Sequence, residues 1–401
     1  MTKKFSSETN LPWWKKGVIY QIYPRSFNDT SGNGIGDLKG ISKKISYLSS
    51  LGVDALWLSP IFTSPMKDMG YDVSNYTDID PLFGDIYDFE KLIEKAKQNK
   101  IKVIIDQVLS HSSDAHPFFK LSKSNKNNSK SDWYVWADPK PDGSPPNNWL
   151  SVFGGSAWEW DTGREQYYLH NFLKSQPDFN FHNLEVQKWL LSTVKFWLEK
   201  GVDGFRLDTA NYYFHDKKLR NNPAIKSRAS GKNPYYYQNL KYSINQKDNF
   251  AFLKKLRKLT DEYEETTMIG EISNVELQAK YTANNDKLHM AYSFDLLRDE
   301  FSPKHIRNTV SKFFKETKDG WPTWSFSNHD VVRHLSRWNK TKKDRQKFAK
   351  LTCALLMSLK GTPCIYQGEE LGQTQTKIEF DEIKDPPGKK FWPMDFGRDG
   401  C

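Results

Sequence analysis

Three acidic residues follow apolar runs of the sequence. Asp208 ends GFRLD two residues after Arg206, Glu271 lies near the end of TTMIGEI, and Asp330 ends WSFSNHD. Carboxyl groups at the carboxyl ends of different parallel strands converge on one rim of a barrel, where such barrels do their chemistry. A guanidinium two residues away is expected to hold the Asp208 carboxyl ionised. Two such carboxyl groups can supply the nucleophile and the general acid that cleavage of a glycosidic bond requires.

A single Arg-x-Asp or Gly-Glu pair at a strand end is more often a structural ion pair than a catalyst. Here the pattern recurs, because KVIIDQVLSH places Asp106 and His111 at the end of another apolar run. The repetition favours an active site over isolated structural pairs.

Short apolar runs alternate with segments of helical periodicity, which predicts βα units and a parallel sheet. Apolar spacing predicts helices that include residues 88–100, 186–200 and 344–360. Eight βα units predict an α/β fold, a (β/α)8 barrel. The predicted strands are residues 18–24, 54–59, 102–107, 202–207, 267–272, 289–294, 323–328 and 363–368.

The connection between the third strand and the helix before the fourth is too long for a plain loop. It contains a run rich in Trp, Gly and Pro that alternates like short strands and turns. Residues 112–175 are therefore predicted to form a small inserted domain. The barrel would then consist of residues 1–111 and 176–401.

The composition is that of a globular chain without a nucleic-acid or membrane module. The net charge of +10 arises from Lys and Arg spread along all 401 residues. Cys353, Cys364 and Cys401 are an odd number and imply no disulfide framework. The N-terminal residues lack the apolar segment of a signal peptide, and no later run is long enough to cross a bilayer. The predicted compartment is the cytoplasm.

Six motifs in fixed order carry a family resemblance: DQVLSH (106–111), QPDFN (176–180), GFRLD (204–208), GEI (270–272), SNHD (327–330) and GTPCIYQGEE (361–370). With them the sequence resembles glycoside hydrolase family 13, the α-amylase superfamily, in its α-glucosidase and oligo-1,6-glucosidase branch. The resemblance runs from about Trp13 to the C-terminus. It implies retaining cleavage of α-glucosidic bonds, with residues 112–175 as the domain B that walls one side of the cleft.

The sequence stops at GRDGC, short of the last barrel helix and the C-terminal β-domain that the resemblance leads us to expect. A missing helix would leave apolar barrel surface exposed. We therefore expect a C-terminally truncated barrel of marginal stability, unless the residues after Gln367 form a substitute cover.

The resemblance assigns roles to the three carboxylates. Asp208 would be the nucleophile that forms a β-glucosyl ester, and Glu271 would be the general acid and base. Asp330 would bind the 2- and 3-hydroxyls more tightly in the transition state than in the ground state. His111 and His329 would donate hydrogen bonds to the same glucose.

The resemblance also implies a pocket around the terminal sugar. Asp106 would support the site by orienting its Arg and His residues. Tyr71 would stack on the glucose, while Asp72 and Arg333 would close the pocket around the 4-hydroxyl. A closed pocket admits only a chain end, which implies exo-action. The alternative for Asp72 and Arg333 is an ordinary ion pair.

Thr209 directly follows Asp208 in the sequence. By resemblance, maltose-cleaving relatives carry Thr at this position and isomaltose-cleaving relatives carry Val. The residue therefore favours α-1,4 over α-1,6 linkages, although the difference between a hydroxyl and a methyl is small enough for both to react.

The loop DTSGNGIGD, residues 29–37, places oxygen atoms at alternate positions with glycines between them, which suits a Ca²⁺ site. By resemblance the ion would be a structural Ca²⁺ or Mg²⁺, and a metal-free turn is the alternative. No organic cofactor is expected. The predicted metal ligands are Asp29, Ser31, Asn33, the Ile35 carbonyl and Asp37.

Three other functions stay open. Glucosyl transfer shares the covalent intermediate with hydrolysis. A trehalose-6-phosphate hydrolase is favoured if lysines of residues 211–250 converge on the pocket. A non-catalytic family member would require that truncation has destroyed the cleft. The expected partner is a short oligosaccharide or disaccharide, and the chain would be a monomer or homodimer.

Overall fold

The computed structural model describes residues 11–225, 233–341, 344–394 and 397–399. Its strands and helices follow the alternation expected from the sequence. The strands are β1 (Ile19–Ile22), β2 (Ala55–Leu58), β3 (Phe62–Thr63), β4 (Asn75–Ile79), β5 (Lys102–Gln107), β6 (Trp136–Ala137), β7 (Trp158–Asp161), β8 (Gln166–Leu169), β9 (Gly204–Leu207), β10 (Thr267–Ile272), β11 (Met290–Ser293), β12 (Thr323–Trp324) and β13 (Thr362–Tyr366). The α-helices are α1 (Trp13–Lys16), α2 (Leu38–Leu51), α3 (Ile86–Gln98), α4 (Pro117–Ser124), α5 (Leu184–Glu199), α6 (Asp248–Thr260), α7 (Val275–Thr282), α8 (Pro303–Glu316), α9 (His334–Arg337), α10 (Arg345–Ser358) and α11 (Pro386–Phe391).

Eight parallel strands form the barrel, in the order β1, β2, β5, β9, β10, β11, β12 and β13. Strand β13 pairs with β1, and a single parallel bridge from Ala291 in β11 to Pro322 connects the remaining two edges. Each of the eight predicted strands overlaps one of these, although the strand predicted at 323–328 is shortened to Thr323–Trp324. The predicted (β/α)8 barrel is confirmed.

Local sequence explains the limits and the buried face of the helices around the barrel. Helix α2 begins after Asp37, whose side chain accepts a hydrogen bond from the Gly40 N–H, and ends at Gly52 in the left-handed conformation that glycine favours. Its apolar residues Ile41, Ile45 and Leu48 are buried against the barrel. Helix α5 begins in the same way, because the Asn183 side chain accepts from the Glu185 N–H.

The chain leaves the barrel after β5 and returns at α5. Between them β6, β8 and β7 form a small antiparallel sheet over its own core. Trp149 and Trp158 are buried in that core, and their ring centroids are 6.0 Å apart. The limits of domain B at residues 112 and 175 stay a prediction.

The residues after β13 cross towards the small sheet, where the Lys390 ammonium donates to the Gly154 carbonyl oxygen over 2.7 Å. They leave apolar side chains of helix α10 uncovered: Leu351 is 56% exposed and Met357 is 41% exposed. The truncation itself stays a prediction. Within the described ranges no helix is long and apolar enough to cross a membrane, and the compartment also stays a prediction.

Candidate active site

The floor of the site is built on four neighbouring barrel strands, β5, β9, β10 and β11. Strand register places Asp106 beside Arg206 and Glu271 beside Tyr292. Asp208 follows the end of β9 by one residue. Because parallel strands end at the same rim, these side chains meet although they are far apart in sequence.

Arg206 is the centre of this floor and is completely buried. Its Nη1 donates to Asp106 Oδ1 over 2.8 Å and to Asp208 Oδ1 over 2.7 Å. Its Nη2 lies 2.8 Å from Glu271 Oε1 and donates to the Tyr292 hydroxyl over 2.7 Å. One planar guanidinium therefore orients three carboxyl groups, a task for which its fork geometry is suited.

Burial dominates the electrostatics of the floor. It raises the pKa of Asp106 to about 6 and that of Asp208 to about 7, while Arg206 acts in the opposite direction. Burial likewise raises the pKa of Glu271 to about 7. Arg206 lowers the pKa of Asp208, as expected, but burial outweighs this effect because three carboxyl groups share a single positive charge. The cluster retains protons near pH 7, as a site with both a nucleophile and an acid requires.

Thr209 links the two central carboxyl groups. Its backbone N–H donates to Glu271 Oε2 over 2.9 Å, and its hydroxyl donates to Asp208 Oδ2 over 3.2 Å. The residue has a φ of +42°, in the left-handed region that is strained for a β-branched residue. Such strain is characteristic of functional sites, where the surrounding contacts hold it in place.

Asp330 lies at the mouth of the site, with its side chain 26% exposed, and its Oδ1 is 3.3 Å from His329 Nε2. The His329 ring stacks on Tyr71 with centroids 5.4 Å apart and planes within 7°. The Tyr71 hydroxyl donates to Asp106 Oδ2 over 3.1 Å and lies 2.6 Å from His329 Nε2. Burial lowers the pKa of His329 to about 3, so this ring is neutral.

His111 contacts the backbone of Tyr71 and is also buried. Its Nε2 is 3.1 Å from the Tyr71 carbonyl oxygen, and its ring centroid is 5.2 Å from that of Phe172. Burial lowers the pKa of His111 to about 4, so this ring is neutral as well. The structure thus brings together the predicted carboxylates, both histidines, Tyr71, Arg206 and Thr209.

The structure does not bring Asp72 and Arg333 together. The Asp72 carboxylate accepts hydrogen bonds from the Ser64 hydroxyl and from the backbone N–H groups of Lys67 and Asp68. The Arg333 Nη1 donates instead to the Gln367 carbonyl oxygen over 2.6 Å. The alternative of an ordinary ion pair between them is therefore not observed among the described residues, and their closing of the pocket around the 4-hydroxyl stays a prediction.

A different ion cluster stands beside Tyr71. Arg398 Nη2 binds Asp68 and Arg398 Nε binds Asp385, all three being buried, and the guanidinium carbon is 5.7 Å from the Tyr71 ring centroid. Gln176 Nε2 also donates to Asp68 Oδ2 over 2.8 Å. We call the cluster of Asp68, Arg398 and Asp385 the wall of the site. Sequence reasoning missed it, although KDMGYD contains Asp68 three residues before Tyr71. No local pattern near Arg398 indicates its partner.

The predicted metal loop uses its oxygen atoms internally. Both Asp29 carboxylate oxygens accept backbone N–H groups, from Ser31, Gly32 and Gly34. Asp37 accepts from Thr30 and caps helix α2. An ionised carboxylate oxygen has further lone pairs beside the one that accepts an N–H group, so the metal site at this loop stays a prediction. Among the described residues no group of three or more His, Cys, Asp or Glu side chains is placed to hold a metal ion.

Comparisons with known proteins agree with this geometry. The family model for the α-amylase catalytic domain matches residues 21–400. A probable α-glucosidase of Rhizobium meliloti is 53% identical, covering 98% of this chain and 74% of the relative. An oligo-1,6-glucosidase of Heyndrickxia coagulans is 41% identical, covering 93% of this chain and 69% of the relative.

Among solved structures, the α-glucosyl transfer enzyme XgtA superposes with a TM-score of 0.95 at 53% identity, covering 98% of this chain and 75% of that one. Fold, sequence and strand-end carboxylates point to the same family. The chain belongs to the α-amylase family, glycoside hydrolase family 13, and is a glycoside hydrolase of its α-glucosidase and oligo-1,6-glucosidase branch.

Proposed function

We propose that this chain is a retaining, exo-acting α-glucosidase that releases glucose from short α-glucosides and prefers α-1,4 linkages. The observation that carries the proposal is the bridging of Asp208 and Glu271 by the single Arg206 guanidinium. Retaining glycosidases hold their two carboxyl groups about 5 Å apart, whereas inverting enzymes need about 6.5–9.5 Å to admit a water. A shared guanidinium favours the shorter separation.

In this proposal the Asp208 carboxylate attacks the anomeric carbon while the protonated Glu271 gives its proton to the departing glycosidic oxygen. The bond to the leaving sugar breaks as the glucosyl ester forms. Ionised Glu271 then takes a proton from water, which attacks the ester and regenerates both groups. Asp330 and the neutral rings of His111 and His329 would bind the hydroxyls of the glucose.

Exo-action is supported by the wall beside Tyr71. The buried Asp68–Arg398 pair closes this side with charged groups that suit the hydroxyls of a terminal sugar. The α-1,4 preference is supported by the Thr209 hydroxyl, which lies next to the nucleophile. A short α-1,4 disaccharide is the substrate that we expect to react best.

Two other specificities are distinguished by separate features. Glucosyl transfer, the activity named for XgtA, uses the same intermediate and differs only in the acceptor. A phosphorylated disaccharide would need basic residues at the pocket. In the described part of residues 211–250, Arg220 pairs with Asp216, Lys241 lies over the Tyr242 ring, and Lys217 and Lys218 are exposed. Lys226, Arg228 and Lys232 lie outside the described residues, so this pattern favours an unphosphorylated substrate only as far as the described residues go.

The test is glucose release from maltose, isomaltose, sucrose, trehalose and trehalose 6-phosphate, by the chain and by its Asp208→Asn variant. We expect maltose to react fastest and the variant to be inactive. Release that persists in the folded variant would contradict Asp208 as the nucleophile. Disaccharide products that form at high maltose concentration would instead favour transfer.

A further inference from the structure

A continuous line of hydrogen-bond contacts connects His111 with Asp208 through two hydroxyl groups. His111 Nδ1 is 2.9 Å from Ser110 Oγ, and Ser110 Oγ is 2.9 Å from Thr209 Oγ1. Thr209 Oγ1 is in turn 3.2 Å from Asp208 Oδ2. The line joins a sugar-binding residue to the nucleophile along the side opposite Arg206, which contacts Asp208 Oδ1.

Because each group carries a fixed number of protons, the direction of one of these hydrogen bonds determines the directions of the others. Each hydroxyl carries one proton, so it donates only one hydrogen bond. If Thr209 donates to Asp208, Ser110 must donate to Thr209, and the proton of neutral His111 must then be on Nδ1. If the His111 proton is on Nε2, Ser110 donates to Nδ1 and Thr209 turns its proton to Ser110, away from Asp208.

Both tautomers of His111 find a partner at the other edge of the ring. Nε2 is 3.1 Å from the Tyr71 carbonyl oxygen, which accepts a hydrogen bond from Nε2–H. Nε2 is also 3.2 Å from the Gln176 amide nitrogen, which donates to a bare Nε2. Gln176 carries two N–H donors and uses one on Asp68, so the second is free for the ring. Each tautomer therefore has one complementary group at Nε2, while the other neighbour, either the Tyr71 carbonyl oxygen or the Gln176 N–H, opposes it.

We propose that Ser110 and Thr209 form a hydroxyl relay that couples the tautomer of His111 to the charge on Asp208. The proposal rests on the proposed function for the role of Asp208. While Asp208 is ionised, both hydroxyls point their protons towards it, and His111 carries its proton on Nδ1. When the glucosyl ester removes the charge, the relay reverses, and His111 Nε2–H becomes a donor.

The relay makes Ser110 and Thr209 positioning residues for the nucleophile. A hydrogen bond donated to a carboxylate stabilises its ionised form and lowers its pKa. Thr209 therefore opposes the effect of burial on Asp208, together with Arg206. Loss of the Thr209 hydroxyl raises the pKa of Asp208, and loss of the Ser110 hydroxyl does so less, since it acts only through Thr209.

Other charged and titratable groups also face Asp208 and must stay unchanged in any test. They come from strands β4, β5, β9 and β10, from the loop before β4, and from the segments that follow β9 and β12. These groups are Arg206, Asp106, Glu271, Asp330, Tyr71, Tyr76, Tyr212 and Tyr213. The relay residues are uncharged, so substituting them adds or removes no charge in this set.

The first experiment is the pH dependence of kcat/KM for maltose in Thr209→Val, Thr209→Ser and Ser110→Ala. In Thr209→Val the acid limb should move up by about half to one pH unit, since one hydrogen bond to the carboxylate is lost. Ser110→Ala should move it in the same direction by less. Thr209→Ser keeps the hydroxyl and should restore the limb, which separates this effect from linkage preference.

Ser112→Ala is the matched control. Ser112 is equally buried in the same segment, but its hydroxyl contacts Tyr134 and the Ser113 carbonyl oxygen, outside the relay. It should leave the acid limb unmoved. An acid limb that stays in place in both Thr209→Val and Ser110→Ala would overturn the relay.

A second readout does not need activity. The ¹⁵N chemical shifts of the His111 ring, assigned by their loss in His111→Gln, report which nitrogen carries the proton. In the parent chain at alkaline pH we expect the Nδ1–H tautomer, and in Thr209→Val a shift towards Nε2–H. An unchanged tautomer would overturn the relay, whereas absence of maltose cleavage with the expected shifts would overturn only the proposed function.

Discussion

The floor and the wall of the site are both buried ion clusters centred on one arginine, but they are built differently. The floor places Arg206 among three acidic residues on adjacent barrel strands. The wall joins Arg398 to Asp68, 330 residues earlier in the chain, through segments outside the barrel. Strand register fixes the floor, whereas the wall depends on how two distant segments meet.

The two clusters also differ in the number of carboxyl groups that surround the guanidinium. Three carboxyl groups share one guanidinium in the floor, so the floor holds protons near pH 7 and can exchange them during a reaction. In the wall, one guanidinium faces two carboxylates and no group there contacts Asp208 or Glu271 among the described residues. We therefore propose that the floor performs the chemistry and that the wall positions the substrate.

The largest effect is expected from Arg206→Lys. Lysine keeps the charge but cannot bridge Asp106, Asp208 and Glu271 with fixed geometry. We expect kcat/KM for maltose to fall about 10³-fold, since the carboxyl groups lose their alignment. Steady-state kinetics with circular dichroism as a check of folding would measure it. A fall of less than about tenfold would remove the distinction between the floor and the wall.

A smaller effect is expected from Asp68→Asn, compared with Asp72→Asn as its control. Asp68→Asn leaves Arg398 with a weaker partner beside Tyr71 and should lower kcat/KM for maltose by about 10–100-fold, mainly through KM. Asp72→Asn removes an acceptor of loop N–H groups and should lower thermal stability with little change in KM. The opposite pattern would restore Asp72 as the wall residue.

The floor and the wall are also expected to affect the pH dependence of activity differently. As pH falls through about 7, Asp208 gains a proton and the nucleophile is lost; as pH rises through about 7, Glu271 loses the proton that it must donate. We expect a narrow bell near neutral pH, whose limbs belong to the coupled group of carboxyls. Asp68→Asn should lower the bell without moving its limbs, and displaced limbs would show that the wall takes part in the titration.

The sequence predicted the barrel and the floor because both depend on local signals. Apolar runs marked all eight strands, and Asp106, Arg206 and Glu271 lie within those strands. Once the strands are parallel, their side chains must meet at one rim. The raised pKa of Asp208 was not predicted because burial and the sharing of Arg206 are properties of the assembled site.

The wall could not be predicted in the same way. Asp68 and Asp72 stand in one short segment, and the choice between them depends on which carboxylate the loop backbone occupies. The partner of Asp68 comes from a segment without a repeating pattern near the end of the sequence. Only the three-dimensional path of both segments brings Asp68 and Arg398 together.

A last test concerns what an arginine contributes to a buried carboxyl group. Asp178 is buried, its Oδ2 accepts from the Asn171 N–H over 2.6 Å, and its Oδ1 has no hydrogen-bond partner among the described residues. Burial raises the pKa of Asp178 to about 8. In the unfolded chain an Asp titrates near pH 4, so between about pH 4 and 8 the folded state holds a proton that the unfolded state lacks.

Stability due to Asp178 is therefore lost as pH rises through this window. The Asp178→Asn side chain cannot lose a proton. Between pH 5.5 and 8.5 the free energy of unfolding of the parent chain should therefore fall relative to that of Asp178→Asn, as measured by urea denaturation. Asp132→Asn, at an exposed carboxylate that accepts from Asn180, is the matched control and should run parallel to the parent. Parallel curves for Asp178→Asn as well would mean that Asp178 is ionised in the folded chain, and that burial without an arginine does not suffice to keep a carboxyl group protonated.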